Sequence, residues 1–278
     1  MKKIFIVVAF LFVFVRCSPQ QLEIFETTFH RIGGFGQDSR MCSLACLDGI
    51  YGFWDEKTQH LYTPSELEER WRTPRLPVTF ENGKMGYIAP DGRLAIAPQW
   101  TDGAEFDENG LARVINYDGN PDNLINFVAL PGVAGYIDTT GHYVIPMTYS
   151  FIDHFSGGVA RFCRGVYDES AGTTAKTYPA NPYHGYKYGL INVRGEIVLP
   201  DDTYDFIWVA EPDPVRGFIF CVQQGAKFGI IGTKGEVVFP LRELQLPQVE
   251  DDPWAELWLG LAVIRNTYRA EQEKKVSP

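Results

Sequence analysis

Short apolar runs, bounded by glycine and proline, recur along most of the chain. Four segments begin with a glycine and two β-forming residues, reach a second glycine six residues later, and end at a proline after a second apolar run. They cover residues 86–98, 135–146, 189–200 and 229–240. Because glycine adopts the positive φ of a tight turn without strain, each segment predicts a β-hairpin. The proline predicts the end of the second strand.

A further apolar run follows each hairpin and predicts a third strand. These runs begin at Gly110, Gly158, Gly217 and Gly260. A degenerate fifth copy begins at Gly52 and lacks the turn glycine, and residues 76–80 supply its third run. The chain therefore consists of repeated units, which is a pattern to seek before any other.

The predicted fold is all-β, with antiparallel hairpins or three-stranded units in an open array. A propeller-like ring is the alternative, but propeller blades have four strands and the pattern predicts three. The domain prediction has a signal peptide at 1–16, an irregular segment at 17–51, the repeats at 52–265 and a polar tail at 266–278. Short flanking helices are expected at 64–72, where a capping-box spacing precedes Glu66, and from Pro253 to Leu259.

The units differ in length because insertions separate their strands. The longest insertions cover residues 116–132 and 165–185. Variable loops on a constant frame are where repeat proteins usually place specificity.

These residues resemble the WG-repeat family, whose units start with Lys-Trp-Gly-Tyr-Ile-Asp, turn at glycine, end in Val-Ile-Pro and continue to a Gly-Leu-Ala strand. The residue before the lead glycine is aromatic in two copies, Tyr188 and Phe228, and is Met85 or Ala134 in the others. The resemblance implies a β-repeat fold. It implies no catalytic residue, because the repeat alone defines the family.

The N-terminus predicts export. Lys2 and Lys3 precede an apolar run at residues 4–15, which is too short to span a bilayer and is typical of a signal peptide. Cys17 follows at once, as in bacterial lipoproteins, where that cysteine is lipidated. We therefore expect a membrane-anchored lipoprotein of the cell envelope, with a cleaved and soluble secreted or periplasmic protein as the alternative.

The net charge narrows the choice of partners, and the cysteines indicate where disulfides could form. A net charge of −10 repels phosphate backbones and argues against nucleic acid. Cys42, Cys46, Cys163 and Cys221 permit disulfides in an exported chain, and Cys42 could pair locally with Cys46. Cys163 and Cys221 lie in predicted strands, where small buried hydrophobes are the preferred interpretation.

No nucleophile elbow, phosphate-binding loop or metal-ligand spacing occurs in the sequence, so we expect a protein that is not an enzyme and holds no metal or cofactor. Asp118 and Asp122 lie in a loop with alternating oxygen ligands. That loop lacks the glycine and glutamate of a calcium site, so an Asx-rich turn is preferred. The dispersed histidines indicate surface or core positions, and His142, just after a hairpin glycine, is expected to face solvent.

Aromatic residues are the best candidates for recognition. Trp54 and Trp100 are the proposed binding tryptophans, together with Asp118 and Asp122. Core packing is the preferred interpretation of any single tryptophan. Trp208 is expected in the core, whereas Trp100, which follows the end of a hairpin, is the candidate for an exposed position.

The preferred function is therefore a non-catalytic binding or scaffolding protein of the cell envelope, which recognises a protein or a glycan through its inter-strand loops. One alternative is an envelope hydrolase whose loop carboxylates form an acid–base pair. A second is an acidic inhibitor or immunity-type protein that neutralises a basic partner.

Overall fold

The computed structural model describes residues 22–31, 41–66, 74–80, 82–117, 132–164, 188–208, 211–244 and 253–276. Within these ranges the chain forms antiparallel β-sheets and one α-helix. The prediction of an all-β fold made of repeated hairpin units is confirmed. The chain divides into two compact units, 1–115 with 137–142 and 116–136 with 143–278.

The first compact unit contains two complete sheets. The first sheet consists of β1 (Leu22–Arg31), β2 (Met41–Leu47), β3 (Ile50–Asp55) and β4 (His60–Tyr62), in that order. The second consists of β5 (Leu76–Thr79), β6 (Met85–Ile88) and β7 (Leu94–Trp100). A turn of 3₁₀ helix at Pro64–Glu66 lies between them in the chain, where the sequence predicts a helix to residue 72, and residues 67–73 lie outside the described ranges.

The third sheet has the strand order β11-β10-β9-β8. Its strands are β8 (Asp102–Gly103), β9 (Leu111–Tyr117), β10 (Gly132–Asp138) and β11 (Tyr143–Tyr149).

The second compact unit contains the fourth and fifth sheets and the helix. The fourth sheet is β12 (Phe151–Ile152), β13 (Val159–Cys163), β14 (Tyr188–Asn192) and β15 (Ile197–Tyr204). The fifth is β16 (Phe206–Ile207), β17 (Glu211–Asp213), β18 (Gly217–Gln224), β19 (Lys227–Gly232) and β20 (Val237–Glu243), with β16 and β17 both paired to β18. The helix α1 covers Pro253–Val276.

All four predicted hairpins form around the same turn. The turn glycine donates its backbone N–H to the carbonyl of the residue three positions earlier, and its φ lies between +76° and +89°. These glycines are Gly92, Gly141, Gly195 and Gly235. In the degenerate copy the turn contains Gln59 at φ +55°.

The lead glycine has a different role, because it allows a close approach between strands. A Cβ on Gly135 would lie 2.6 Å from the carbonyl oxygen of Ile145, and one on Gly189 would lie 2.6 Å from that of Leu199. The degenerate copy keeps this feature, since Gly52 faces the carbonyl of Tyr62. Steric space therefore explains this glycine in every copy.

The prediction that proline ends the second strand is wrong. Strand β7 continues through Pro98 to Trp100, and β15 continues through Pro200 to Tyr204. Each of these strands lies at the edge of its sheet, where the missing N–H of proline breaks no ladder bond. Proline at an exposed edge also hinders pairing with another chain.

The third strand of each repeat pairs with the hairpin of the following repeat. Strand β5 pairs with β6, β13 with β14 and β18 with β19. Two-residue strands β8, β12 and β16 extend these sheets, so most of them have four or more strands rather than three. The count of three strands per unit, which favoured an open array over a ring, is therefore too low. Whether the repeats form an open array or a ring stays a prediction.

The last predicted third strand is wrong, because residues 260–264 lie in α1. Residues 265–276 continue the helix and supply no hairpin for residues 260–264 to pair with. A strand there would leave its N–H and C=O groups without a neighbouring strand, whereas a helix satisfies them internally. The helix begins at Pro253 as predicted, but it extends across the expected boundary between residues 265 and 266.

The segment expected to be irregular, 17–51, contains β1, β2 and the start of β3. A tight turn at Asp48 and Gly49, both with positive φ, joins β2 to β3. Pairing with β3 explains why strands form here without a repeat motif. Among the described residues, no helix is long and apolar enough to cross a membrane.

Candidate functional site

Both long insertions occupy the same place in the strand order. One joins β9 to β10 and the other joins β13 to β14, which are in each case a third strand and the first strand of the next hairpin. Their short counterparts are residues 80–84, between β5 and β6, and residues 225–226, between β18 and β19. Residues 118–131 and 165–187, which form most of the insertions, lie outside the described ranges.

The described strands that flank the second insertion, together with neighbouring segments, carry a group of arginine, aspartate and aromatic side chains, which we call the arginine cluster. All of its members lie in the second compact unit. They are Tyr149, Phe151, Asp153, Arg161, Phe162, Arg164, Tyr188 and Asp201.

Arg161 forms the buried part of the cluster. Its Nε and Nη2 donate to Oδ2 of Asp153 at 3.0 and 2.6 Å, and its Nη1 donates to the carbonyl of Ile207 at 2.6 Å. Its guanidinium lies 5.6 Å from the ring centroid of Phe151. These contacts join the fourth sheet to the fifth, so the role of Arg161 is structural.

Arg164 forms the accessible part. Its side chain is 47% exposed and pairs with Asp201 at 3.3 Å. The guanidinium lies 5.3 Å from the ring centroid of Phe162 and 5.8 Å from that of Tyr149. A guanidinium held over aromatic rings can bind a planar acceptor, such as a carboxylate or amide, through the donors in its plane.

Aromatic contacts extend from the cluster to Trp208. The rings of Phe151, Tyr188 and Phe206 contact one another edge to face, with centroids 6.2 and 5.3 Å apart. Phe206 then contacts Trp208 at 5.9 Å. Trp208 is half-buried and packs against the core, so the expectation of a core position holds for part of its surface.

The two tryptophans predicted to bind a partner are buried. Trp100 is 0% exposed and contacts Tyr87 edge to face, so it lies in the core and not at the exposed position considered for it. It ends the edge strand β7 on the inward face of the strand. Trp54 is 8% exposed and packs with Leu22 and Ala45. Neither indole is available to a partner in this structure.

The other predicted site residues have mixed outcomes. Asp118, Asp122 and Cys17 lie outside the described residues, so their roles stay predictions. His142 is exposed over 86% of its side chain, as expected. Sequence reasoning missed Arg161, although the Gly-x-Ala-Arg pattern shared by residues 110–113 and 158–161 marks its position.

The described cysteines are free thiols. Cys46 is half-buried, whereas Cys163 and Cys221 are buried, which confirms that the latter two are small core residues. Burial raises the pKa of both core thiols to about 12. A local bridge between Cys42 and Cys46 does not form, since residues four apart in a strand are separated by about 13 Å.

Among the carboxylates that the structure describes, no two have pKa values shifted in opposite directions. The pKa values of Asp138 and Glu196 are lowered, because the first accepts a hydrogen bond from the Thr140 hydroxyl and the second pairs with Arg194. Both are hairpin-turn carboxylates that accept local hydrogen bonds. Among the described residues, no group of three or more histidine, cysteine, aspartate or glutamate side chains could hold a metal ion.

Comparison with known proteins supports the repeat. The family model for the WG containing repeat matches residues 85–119 and 135–165, which hold the first two complete copies. No curated protein matches the chain. The matched copies share their turn, lead glycine and strand pairing with the two that follow. The chain therefore contains WG repeats at residues 85–119 and 135–165.

Proposed function

We propose that this chain is a non-catalytic binding protein of the cell envelope, in which the repeats form a constant frame and the two long insertions recognise a protein or a glycan. Export by the signal peptide and lipidation of Cys17 would anchor it to a membrane.

One observation carries the proposal. The loop between a third strand and the next hairpin is two residues long at 225–226 but extends over 165–187 in the preceding repeat. The strands on either side keep the same pairing in both places. Selection for stability favours short connections, so a long connection on an unchanged frame is typical of recognition.

The described residues beside the second insertion suit such a role. Arg164 offers an exposed guanidinium, and Trp208 offers part of an aromatic surface. Arginine and tryptophan are both enriched among residues that dominate binding energy at interfaces. Arg161 and its ion pair would hold the surrounding strands rigid, which lowers the ordering cost of binding.

The test uses the chain from Ser18 onward, without Cys17, as bait against detergent-solubilised envelope extract and a glycan array. In the key variant, residues 165–187 are replaced by Gly-Ala, the sequence that joins β18 to β19. We expect the variant to keep its thermal midpoint and to lose the bound partner, as measured by quantitative mass spectrometry of the captured proteins or by array signal.

The matched control lengthens the 225–226 loop with glycine and serine residues and leaves both insertions unchanged. We expect it to bind as the parent chain does. Binding that survives replacement of 165–187, and of 118–131 in a second variant, would contradict the proposal. Turnover of a glycan by the parent chain would support the hydrolase alternative instead.

A further inference from the structure

Successive hairpins in this fold stack through one repeated contact. The residue four positions after each turn glycine is buried, and we call it the stacking residue of its repeat. In the first three of the four hairpins, the turn glycine of the following hairpin packs against this residue. The pairs are Gly141 with Ile96 in the first compact unit, and Gly195 with Ile145 and Gly235 with Leu199 in the second.

The fourth hairpin has a stacking residue of a different kind. This residue is aliphatic in the three hairpins that lie under a turn glycine, whereas in the fourth it is Phe239. Helix α1 covers Phe239, because the ring of Tyr268 contacts it edge to face with centroids 6.1 Å apart. Such a pair stabilises beyond its buried area. Gly260 also lets α1 approach the ring of Phe228 closely. The aromatic stacking residue therefore suits the helix that covers it.

The fifth sheet also contains a strand that has no counterpart in the described parts of the third and fourth sheets. This strand, β17, pairs with β18 outside the main strand order. Its two acidic residues contact α1. Asp213 accepts a hydrogen bond at 2.9 Å from the Tyr268 hydroxyl. Glu211 pairs with Arg265 at 3.2 Å and with Arg269 at 3.4 Å. Strand β17 thus supplies polar contacts at the place where the fourth hairpin meets the helix.

We propose that the fourth hairpin is adapted to bind α1 at the position where the earlier hairpins bind a following hairpin, and that α1 caps the stack of repeats. Two changes make this adaptation, namely the aromatic stacking residue Phe239 and the acidic strand β17. The exposed positions of the helix are mostly polar, at Asn266, Arg269, Ala270, Glu273 and Lys274. A capping element with a polar outer face is what repeat proteins need for solubility.

The first test gives the fourth hairpin the stacking residue of the third. Phe239→Leu keeps an apolar side chain on β20 but removes the ring that contacts Tyr268. We expect the backbone amides of α1 to exchange with deuterium about tenfold faster, because helix docking loses an aromatic pair. The amides of β18 and β19 should keep the rates of the parent chain, since local undocking leaves the sheet intact. Native-state hydrogen exchange read by mass spectrometry measures both sets.

Val237→Leu is the matched control for this variant. Val237 lies on the same strand and is 63% exposed, so the control should leave the exchange rates of α1 unchanged.

The reciprocal variant, Leu199→Phe, places the aromatic residue under a hairpin. A Cβ on Gly235 would lie 3.4 Å from Cδ1 of Leu199, so the larger ring should displace this turn. We expect the amides of Gly232 and Gly235, which form the hydrogen bonds of the turn, to exchange faster than in the parent chain. The amides of α1 should keep their rates. Leu199→Ile is the control, because isoleucine is the stacking residue under two of the other hairpins.

Glu211→Gln tests the contribution of β17 and keeps the proposal testable if Phe239→Leu does not fold. It removes the charge that pairs with Arg265 and Arg269, so the amides of α1 should again exchange faster. Glu196→Gln removes an exposed ion pair of a hairpin turn and should leave α1 unchanged.

Equal acceleration of α1, β18 and β19 in Phe239→Leu would indicate a general loss of core packing and would overturn the proposal. Unchanged α1 rates in both Phe239→Leu and Glu211→Gln would overturn it as well, as would acceleration of α1 by Val237→Leu to the same extent. A Leu199→Phe chain whose Gly235 turn keeps its parent rates would show that an aromatic stacking residue accepts a hairpin equally well, which contradicts the adaptation.

Discussion

Substitution of Arg161 by methionine should destabilise the second compact unit strongly, because Arg161 pairs with Asp153 beside the fourth sheet and donates to the Ile207 carbonyl of the fifth. The Arg161 side chain is 10% exposed and that of its partner Asp153 is 22% exposed. Methionine keeps the apolar stem but removes the guanidinium. Asp153 then loses both hydrogen bonds from Arg161, and the Ile207 carbonyl loses a charged donor.

The magnitude follows from these contacts. Removal of one partner of a buried ion pair costs about 3 to 5 kcal/mol, and partial exposure of Asp153 places this pair at the lower end. A hydrogen bond from a charged donor contributes about 1.5 to 3 kcal/mol. The two effects overlap, since one side chain supplies both, so we expect a loss of about 3 to 4 kcal/mol in the free energy of unfolding.

Arg194→Met is the matched control. Arg194 pairs with Glu196 at 2.8 Å, close to the 2.6 Å of the Arg161–Asp153 pair, but the two side chains are 74% and 60% exposed. Solvent screens such a pair, so the control should unfold at the same denaturant concentration as the parent chain. The N–O distance is nearly equal in the two ion pairs, so the comparison isolates the effect of side-chain burial.

Urea unfolding followed by circular dichroism measures both variants. The double variant Arg161→Met/Asp153→Asn should recover about 1 to 2 kcal/mol relative to Arg161→Met, since asparagine leaves no charge without a partner and still accepts from the backbone N–H of His154. Equal losses in the free energy of unfolding for Arg161→Met and Arg194→Met would refute the argument that burial decides how much each ion pair stabilises the fold.

Two further predictions concern steric space and thiol reactivity. Gly135→Ala should lower the free energy of unfolding by about 1 to 3 kcal/mol in a thermal or urea melt, because its Cβ would lie 2.6 Å from the Ile145 carbonyl oxygen. Gly158→Asn, at φ +81° with open space around it, should lower it far less. Cys163 and Cys221, with pKa values raised to about 12, have a thiolate fraction of only about 10⁻⁴ at pH 8. In native protein, iodoacetamide should therefore label Cys46 before either of them, and equal labelling by mass spectrometry would contradict the burial of these thiols.

Much of the fold could be predicted because its turns depend on local chemistry. A glycine with positive φ between two short apolar runs predicts a hairpin, and all four predicted hairpins form. The two-residue strands β8, β12 and β16 were not predicted, because strands of this length carry no periodic pattern. The candidate site was predicted poorly, since the exposure of Trp100 depends on which face of β7 the sheet buries.

The sequence by itself determined the repeat, the hairpins and the position of the insertions, since each depends on residues close together in the chain. Tertiary structure alone decided how the repeats connect. Each third strand that forms pairs with the next hairpin. The same Gly-Leu-Ala motif leads into strand β9 at Leu111 in one unit but lies in the helix at 260–262 in the last. The physical reason is that a strand needs a neighbouring strand to satisfy its backbone N–H and C=O groups, whereas a helix satisfies them internally.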